Sequence, residues 1–182
     1  MHERETLSGP VVRAATDDDV EVLRRLAVDN GLFAPDEMGE FDHILAGYLD
    51  GSLQDHCWIV LADANRRVVG AAYYAPEPFG DRAWNLYFLA AAADQHRSGT
   101  GSALIGHLEA ELRSRGEQAA RLLIVETSSL DGYEQARRFY RKHGFDEEAR
   151  VREFYGPGDH KVVFWKSLVV AASPRRGDYP AR

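Results

Sequence analysis

The sequence has a single cysteine, Cys57, among its 182 residues, so the chain cannot form an internal disulfide bond. Its cysteine usage therefore implies no oxidising compartment, and the flanking residues 58–60 predict a buried strand and an inert thiol. Residues 1–5 lack the apolar core of a signal peptide, and no apolar run approaches the roughly 18 residues that a membrane span needs. From these absences we expect a cytoplasmic protein with no membrane partner.

Basic residues are scarce relative to acidic ones. The chain holds 22 Lys and Arg against 29 Asp and Glu, which gives a formal net charge of −7. General nucleic-acid binding usually needs a basic face, so we expect no nucleic-acid partner. The seven histidines include no His-x-x-x-His pair and no cluster with Cys57, so we expect no metal site.

The composition that remains is typical of one globular domain. Hydrophobic residues make up 45% of the chain and charged residues 28%, which is ordinary for a globular protein. The length is close to the roughly 150 residues expected of one domain. We predict a flexible leader over residues 1–10, a folded domain over 11–170 and a disordered tail over 171–182.

Hydrophobic spacing predicts four helices and about seven strands. Apolar residues recur at helical spacing in four segments, which end at Gly31, Gly51, Gly116 and Gly144. The predicted strands are 11–14, 57–61, 68–74, 83–92, 121–127, 145–154 and 160–168. The order β-α-α-β-β-β-α-β-α-β-β predicts a single-domain α/β (α+β) fold, in which helices cover both faces of a mixed sheet.

The sharpest local feature is a glycine pair, Gly99 and Gly101, between a predicted strand and an amphipathic helix. Glycines let the backbone approach a ligand closely, and a helix start offers unpaired N–H groups. This combination suits a phosphate or pyrophosphate, although a plain tight turn has the same pattern. A dinucleotide fingerprint needs a third glycine where Leu104 stands, and no Gly-Lys-Ser/Thr sequence occurs, so a nucleotide-binding domain is disfavoured.

The segment His96-Arg97-Ser98-Gly99-Thr100-Gly101 resembles the acyl-coenzyme A pyrophosphate loop of the GNAT superfamily of N-acetyltransferases. The family pattern is Gln/Arg-x-x-Gly-x-Gly/Ala, so His96 departs from it at the first position. The apolar strand 122–125 follows, and residues 136–145 look like the closing family signature Ala-x-x-x-Tyr-x-x-x-Gly-Phe. The resemblance covers roughly residues 11–169 and implies a GNAT-like fold of about seven strands and about four helices.

This resemblance implies an enzyme that transfers the acetyl group of acetyl-CoA to a primary amine. The residues implied in binding acetyl-CoA are Leu89, Ala90, Ala91, His96, Arg97, Ser98, Gly99, Thr100, Gly101 and Ser102. Tyr140 matches the family tyrosine that protonates the leaving thiolate, and its alternative is a core aromatic. Glu126 stands where several members place a polar group facing the acceptor, and it is a candidate general base through water. Its alternative is a carboxylate at a strand end, exposed or paired with an arginine.

Acceptor recognition in this family often involves the first two helices and the loop after the third strand. The candidate residues there are Phe33, Phe41, Tyr48, Tyr73, Tyr74, Phe79, Glu37, Glu40 and Asp42. The alternative is that these aromatics are core and these acids a solvated face. We favour a small-molecule amine as the acceptor. A protein N-terminal or lysine acetyltransferase, a non-catalytic acyl-CoA-binding regulatory module and a homodimer also stay open.

Overall fold

The computed structural model describes residues 9–34, 36, 38–95 and 98–169. Within these ranges the strands are β1 Val11–Ala14, β2 Cys57–Ala62, β3 Val68–Pro76, β4 Ala83–Ala91, β5 Leu122–Ser128, β6 Asp146–Gly156 and β7 Asp159–Ser167. The helices are α1 Val20–Asp29, α2 Gly39–Leu49, α3 Thr100–Ser114 and α4 Glu134–Lys142. The predicted mixed sheet of seven strands with four helices is confirmed. The predicted tail, residues 1–8 of the predicted leader, and Glu37, His96 and Arg97 lie outside the described residues.

The described chain divides into two compact units. The N-terminal unit holds the described residues up to Pro76 together with Asn85–Ala110. The C-terminal unit holds Glu77–Trp84 together with the described residues from Glu111 onward. None of the described helices is both long and apolar enough to cross a membrane.

In the N-terminal unit, β1 to β4 follow one another in sequence order. β1 pairs antiparallel with β2 and β2 with β3, so that Trp58 lies opposite Tyr73. Alternate residues of these strands pack against α1 and α2 to form the core of the unit. Its buried members include Leu23, Leu26, Phe41, Leu45, Trp58, Val60, Ala71, Tyr73 and Phe88. Cys57 begins β2 and is half-buried, so only the residues that follow it form the predicted buried strand.

The start of α1 is fixed by a buried carboxylate. A short 3-10 turn over Asp17–Asp19 precedes the helix. Asp19 is 3% exposed and accepts a 2.8 Å hydrogen bond from the Thr16 N–H. Both terminal nitrogens of Arg13 donate to the same carboxylate, at 2.6 and 2.9 Å. Hydrogen bonding to Arg13 holds the pKa of Asp19 below its usual range, so β1 and the helix start are joined by a charge-assisted contact.

In the C-terminal unit, the strand order is β5-β7-β6, and both pairs are antiparallel. α4 follows a 3-10 turn over Asp131–Tyr133. Gly144 adopts φ +78° directly after α4, a left-handed conformation that lets the chain reverse. The reversal brings Phe145 back onto the helix, where its ring lies 5.8 Å from that of Tyr140.

Candidate active site

The predicted phosphate loop lies in the N-terminal unit and leads directly into α3. Gly99 has φ +91°, which favours glycine, and a Cβ built there would meet nothing within 4 Å. The Ala103 N–H donates to the Gly99 carbonyl over 2.9 Å. The amides of Thr100 and Gly101 donate no backbone hydrogen bond to any described residue. As the first N–H groups of α3, at the positive end of the helix dipole, they suit an anion.

Side chains of the loop hold its shape. The Ser98 hydroxyl donates to the Gln95 carbonyl at 2.6 Å and lies 2.8 Å from the Thr100 hydroxyl. The neighbouring 3-10 turn Ala93–Gln95 is tied to the residue before β3 by the ion pair of Asp94 with Arg67, at 2.8 Å. Because His96 and Arg97 lie outside the described residues, their roles stay predictions.

Gly70 on β3 allows α3 to start where it does. A Cβ built at Gly70 would clash with the methyl group of Thr100 and would lie 3.0 Å from the Ala90 carbonyl oxygen. Thr100 is 4% exposed and is the first residue of α3. The sequence analysis missed Gly70, because a glycine within an apolar strand shows that the backbone is approached closely but not by what.

The end of β4 supplies the predicted binding stretch for the thioester carbonyl. Ala90 is 4% exposed and Leu89 and Ala91 are half-buried. The side chain of Asn30 donates to the Ala91 carbonyl at 3.1 Å and to the Leu26 carbonyl at 2.9 Å. This amide ties the C-terminal end of α1 to the end of β4.

Tyr140 is buried in the C-terminal unit. It is 8% exposed, and its ring contacts those of Phe139, Phe145 and Phe164 at 5.6 to 5.8 Å. Burial raises the pKa of its hydroxyl well above the usual value. Among the described residues its hydroxyl has no hydrogen-bond partner. Tyr140 therefore keeps its proton at neutral pH.

Arg137 fixes the helix that carries Tyr140, and the sequence analysis missed it. Arg137 is 5% exposed. Its guanidinium donates to the Ser128 and Leu130 carbonyls at 2.6 and 2.8 Å. It also pairs with Glu134 at 2.9 Å. α4 is thereby joined to the end of β5. Two adjacent arginines on a helix are typical of an exposed, charged surface, so nothing in the sequence indicated this role.

Glu126 projects from β5 and is paired with a lysine rather than an arginine. Its Oε2 lies 2.9 Å from Lys161 Nζ on β7. That ammonium also lies 3.5 Å from the centre of the Phe154 ring. Burial, and then the negative charge of Glu126, raise the pKa of Tyr155 to about 12. Glu126 thus belongs to a charged and aromatic cluster beside the β6–β7 hairpin.

Most of the predicted acceptor aromatics have structural roles. Phe41 is 3% exposed and packs against Trp58 and Phe33. The Tyr48 hydroxyl donates to the Ala15 carbonyl at 3.1 Å, and Tyr74 is fully buried.

The remaining acceptor candidates differ in their surroundings. Phe79 is fully exposed, and Asp42 is paired with Arg24. Tyr73 belongs to the core of the N-terminal unit. Burial, and to a smaller extent the negative charge of Glu40, raises the pKa of its hydroxyl. Among the described residues, no group of three or more His, Cys, Asp or Glu side chains is arranged to hold a metal ion.

A family model of the acetyltransferase (GNAT) family matches residues 22–145, more than half of the chain. The chain belongs to the GNAT acetyltransferase family. A GNAT-family protein from Desulfovibrio desulfuricans is 28% identical, with a TM-score of 0.79 over 88% of this chain and 99% of that one. The predicted fold, family and acyl-CoA-dependent N-acetyltransferase activity, with acetyl-CoA as donor, are confirmed.

More distant GNAT structures share the fold alone. The ribosomal-protein-S18-alanine N-acetyltransferase of Escherichia coli is 18% identical, with a TM-score of 0.70 over 90% of this chain and 96% of that one. The yncA protein of Salmonella typhimurium, solved with its cofactor acetyl-CoA, is 18% identical, with a TM-score of 0.72 over 91% of this chain and 97% of that one. No curated protein sequence matches this chain significantly.

Proposed function

We propose that this acetyltransferase acetylates the primary amine of a small molecule. Binding of the acetyl donor is argued from Gly99, which has a left-handed backbone and open surroundings and directly precedes the first amides of α3. An acyl-CoA pyrophosphate fits that place, because the residues supply N–H donors and a positive dipole end. In this proposal the amides of Thr100 and Gly101 hold the pyrophosphate, together with the other residues of the loop, His96, Arg97, Ser98, Gly99 and Ser102.

The roles of the other predicted residues follow from their chemistry. Bound acetyl-CoA supplies an activated acetyl group and a thiolate leaving group. The backbone N–H groups of Leu89, Ala90 and Ala91 orient the carbonyl group and stabilise its developing charge. Tyr140, which stays protonated, donates its phenolic proton to the departing sulfur. Glu126 accepts a proton from the attacking nitrogen through a water molecule, while Lys161 fixes the position of the carboxylate.

Two observations support a small, cationic acceptor. The chain carries a formal net charge of −7, which favours cations near its surface. Tyr73, one of the candidate acceptor residues, is only 5% exposed. A slender amine reaches its hydroxyl more readily than the surface of a folded protein does. The rival acceptor is a protein N-terminal amine or lysine, because the S18-alanine enzyme has the same fold.

Binding of the donor is tested by thermal unfolding with acetyl-CoA, with AMP and ATP as controls. A ligand at about 100 times its dissociation constant adds roughly 2.7 kcal/mol of stability, or about 5–10 °C for a chain of this size. A rise specific to acetyl-CoA is expected. No rise would indicate a GNAT fold with a degraded donor site and would favour the regulatory-module alternative.

The acceptor is tested with isotope-labelled acetyl-CoA. The purified protein is incubated with a panel of spermidine, 2-phenylethylamine, kanamycin and lysine, and separately with dialysed cell lysate. We expect mass spectrometry to find labelled small amines and unlabelled polypeptides. Labelled polypeptides with no labelled panel amine would overturn the small-molecule proposal and support the protein acceptor.

A further inference from the structure

His56 and Tyr73 form a hydrogen-bonded pair to which no role has yet been assigned. Tyr73 Oη lies 2.6 Å from His56 Nδ1, and the two rings stack with centroids 5.7 Å apart. Tyr73 is buried and His56, just before β2, is half-buried. A short hydrogen bond between a phenol and an imidazole in such a place can carry a proton from one to the other.

The protonation states of the pair are set by burial. Burial raises the pKa of Tyr73 far above its usual value and lowers the pKa of His56 below its usual value. Both groups are therefore neutral at pH 7, and Tyr73 is the natural donor to Nδ1. His56 then holds its own proton on Nε2. Among the described residues, no second hydrogen bond reaches Tyr73 Oη, so an oxygen lone pair is left for a ligand.

The pair lies beside the part of β4 that is expected to hold the acetyl group. The Tyr73 ring stacks on Tyr87 of β4, with centroids 5.5 Å apart. Tyr87 precedes Leu89 by two residues, which is about 7 Å along a strand. An amine bound at the Tyr73 hydroxyl would therefore lie within reach of a carbonyl group at the end of β4.

A second polar group, on a ring stacked against Tyr73, also lacks a partner in the described part of the chain. Trp58 is 1% exposed and stacks on Tyr73 at 4.7 Å. Its indole N–H is buried and has no hydrogen-bond partner among the described residues. Buried donors of this kind normally have a partner. A bound acceptor or its water would supply one.

We propose that Tyr73 and His56 form the relay that removes the first proton from the acceptor ammonium; this rests on the proposed function. An N–H bond of the ammonium breaks as an O–H bond forms at Tyr73 Oη. The original Tyr73 O–H bond breaks as an N–H bond forms at His56 Nδ1. The nitrogen keeps its electron pair and the positive charge moves to the imidazolium. After the product has left, the Nδ1 proton returns to Tyr73 Oη while the Tyr73 proton passes to water, which restores the resting tautomer.

The relay and Glu126 have separate tasks. A primary ammonium has a pKa of about 10, so transfer to His56 is unfavourable at equilibrium, and attack on the thioester consumes the small amount of free amine. The nitrogen sheds a second proton once it is acylated, and Glu126 is placed in the proposed function to take that one. Tyr73 touches the substrate and is a catalytic residue, whereas His56 acts through it as a positioning residue.

The charged and titratable groups around the relay decide its pH dependence. Those that act on it are Asp55 and Cys57 beside His56, Glu40 on α2 and Tyr87 on β4. Because His56 accepts a proton only when neutral, turnover is lost as the pH falls through its lowered pKa. The acidic limb of the rate profile therefore lies below about pH 6.5, the usual histidine value.

The test compares His56→Gln and Tyr73→Phe with the wild type, using whichever panel amine is turned over fastest. We expect kcat to fall about 100-fold in both variants, with KM for acetyl-CoA unchanged and the acidic limb absent from His56→Gln. The control is His107→Gln, since His107 is exposed on α3. A smaller kcat that keeps the wild-type acidic limb would show a structural role and overturn the relay.

A second measurement needs no acceptor. In protein labelled with 15N-histidine, NMR at pH 7.5 is expected to show His56 with a bare Nδ1 and a protonated Nε2. Tyr73→Phe is expected to shift the Nδ1 resonance. The opposite tautomer or an imidazolium would overturn the relay. Because this result does not depend on turnover, failure of the relay is distinguishable from a panel in which no amine is acetylated.

Discussion

The guanidinium of Arg137 is anchored to the carbonyl oxygens of Ser128 and Leu130, at 2.6 and 2.8 Å. These two oxygens lie where the chain leaves β5, and the arginine lies three residues before Tyr140 on α4. The position of the predicted proton donor is thus set by a buried side chain that takes no part in the chemistry. Without the guanidinium the buried Ser128 carbonyl loses this donor, whereas the Leu130 carbonyl keeps the Tyr133 N–H at 3.0 Å.

Arg137→Met keeps the length and apolar part of the side chain but removes its donors. We expect loss of the buried hydrogen bond to the Ser128 carbonyl to cost about 1–3 kcal/mol, with a midpoint of thermal unfolding lower by several degrees. Arg138→Met is the matched control, because Arg138 lies next to it with a side chain 76% exposed. Equal melting temperatures for the two variants would contradict the role of Arg137.

Gly99→Ala is expected to weaken acetyl-CoA binding. An alanine at φ +91° is strained by about 1–2 kcal/mol, and relief of that strain moves the first amides of α3. Isothermal titration is expected to show a Kd raised at least tenfold. Gly106→Ala on the same helix is the control, since a Cβ there meets nothing and improves helix propensity. Parallel loss of affinity in both variants would argue against a pyrophosphate at the loop.

Gly70→Ala tests the contact behind the loop. The added methyl group presses on Thr100 and on the Ala90 carbonyl, and overpacking of this kind costs about 1–3 kcal/mol. We expect a lower unfolding midpoint together with a raised Kd for acetyl-CoA. Gly39→Ala, at the start of α2 with open space around it, is expected to change neither quantity. An unchanged Kd in Gly70→Ala would separate β3 from the donor site.

Tyr140→Phe removes one hydroxyl from the C-terminal unit. We expect kcat to fall by about 10- to 100-fold while the thermal shift with acetyl-CoA is retained. Because burial raises the pKa of Tyr140, the wild-type hydroxyl keeps its proton as the pH rises, so turnover is expected to show no loss up to pH 10 from this group. Full activity of the variant would remove Tyr140 from the mechanism.

Asp19 gives the fold a dependence on acid. Its pKa is lowered by Arg13, so its stabilising effect is present above the unfolded value of about 3.9 and is lost as the pH falls through the lowered pKa. Asp19→Asn is expected to cost about 1 kcal/mol at pH 7 and to flatten the stability curve below about pH 4. Asp18→Asn, in the same turn but exposed, is expected to match the wild type at both ends of the curve.

The helices and strands could be predicted from the sequence, because hydrophobic spacing and glycine stops are features of residues that are close in sequence. The strand expected over 57–61 is Cys57–Ala62, and the one expected over 83–92 is Ala83–Ala91. The ends of two elements differ from the prediction. Pro76 was expected to lie beyond its strand, yet it is the last residue of β3, a position where a proline is tolerated. The second helix ends at Leu49, two residues before the predicted stop at Gly51.

The site could be predicted only where chemistry resides in a contiguous motif. The loop at Gly99 and the signature around Tyr140 have fixed spacings, so the sequence indicated both. The partners that orient them come from distant segments: Lys161 and Glu126 are joined across two strands, and Gly70 meets Thr100 from another strand. The sequence alone assigned His56 no role, because its hydrogen bond to Tyr73 joins residues 17 positions apart. Such pairings depend on register and packing, which periodicity does not determine.

β6 ends the strand order of its unit, and it is exposed along almost its whole length. A bare strand edge is a template on which other chains aggregate. Six of its eleven residues are charged, with both signs present, and Glu153 kinks the backbone with φ +53°. A foreign strand would have to desolvate those charges and follow the kink. The charges and the kink of β6 therefore protect this edge of the sheet against association with the strands of other chains.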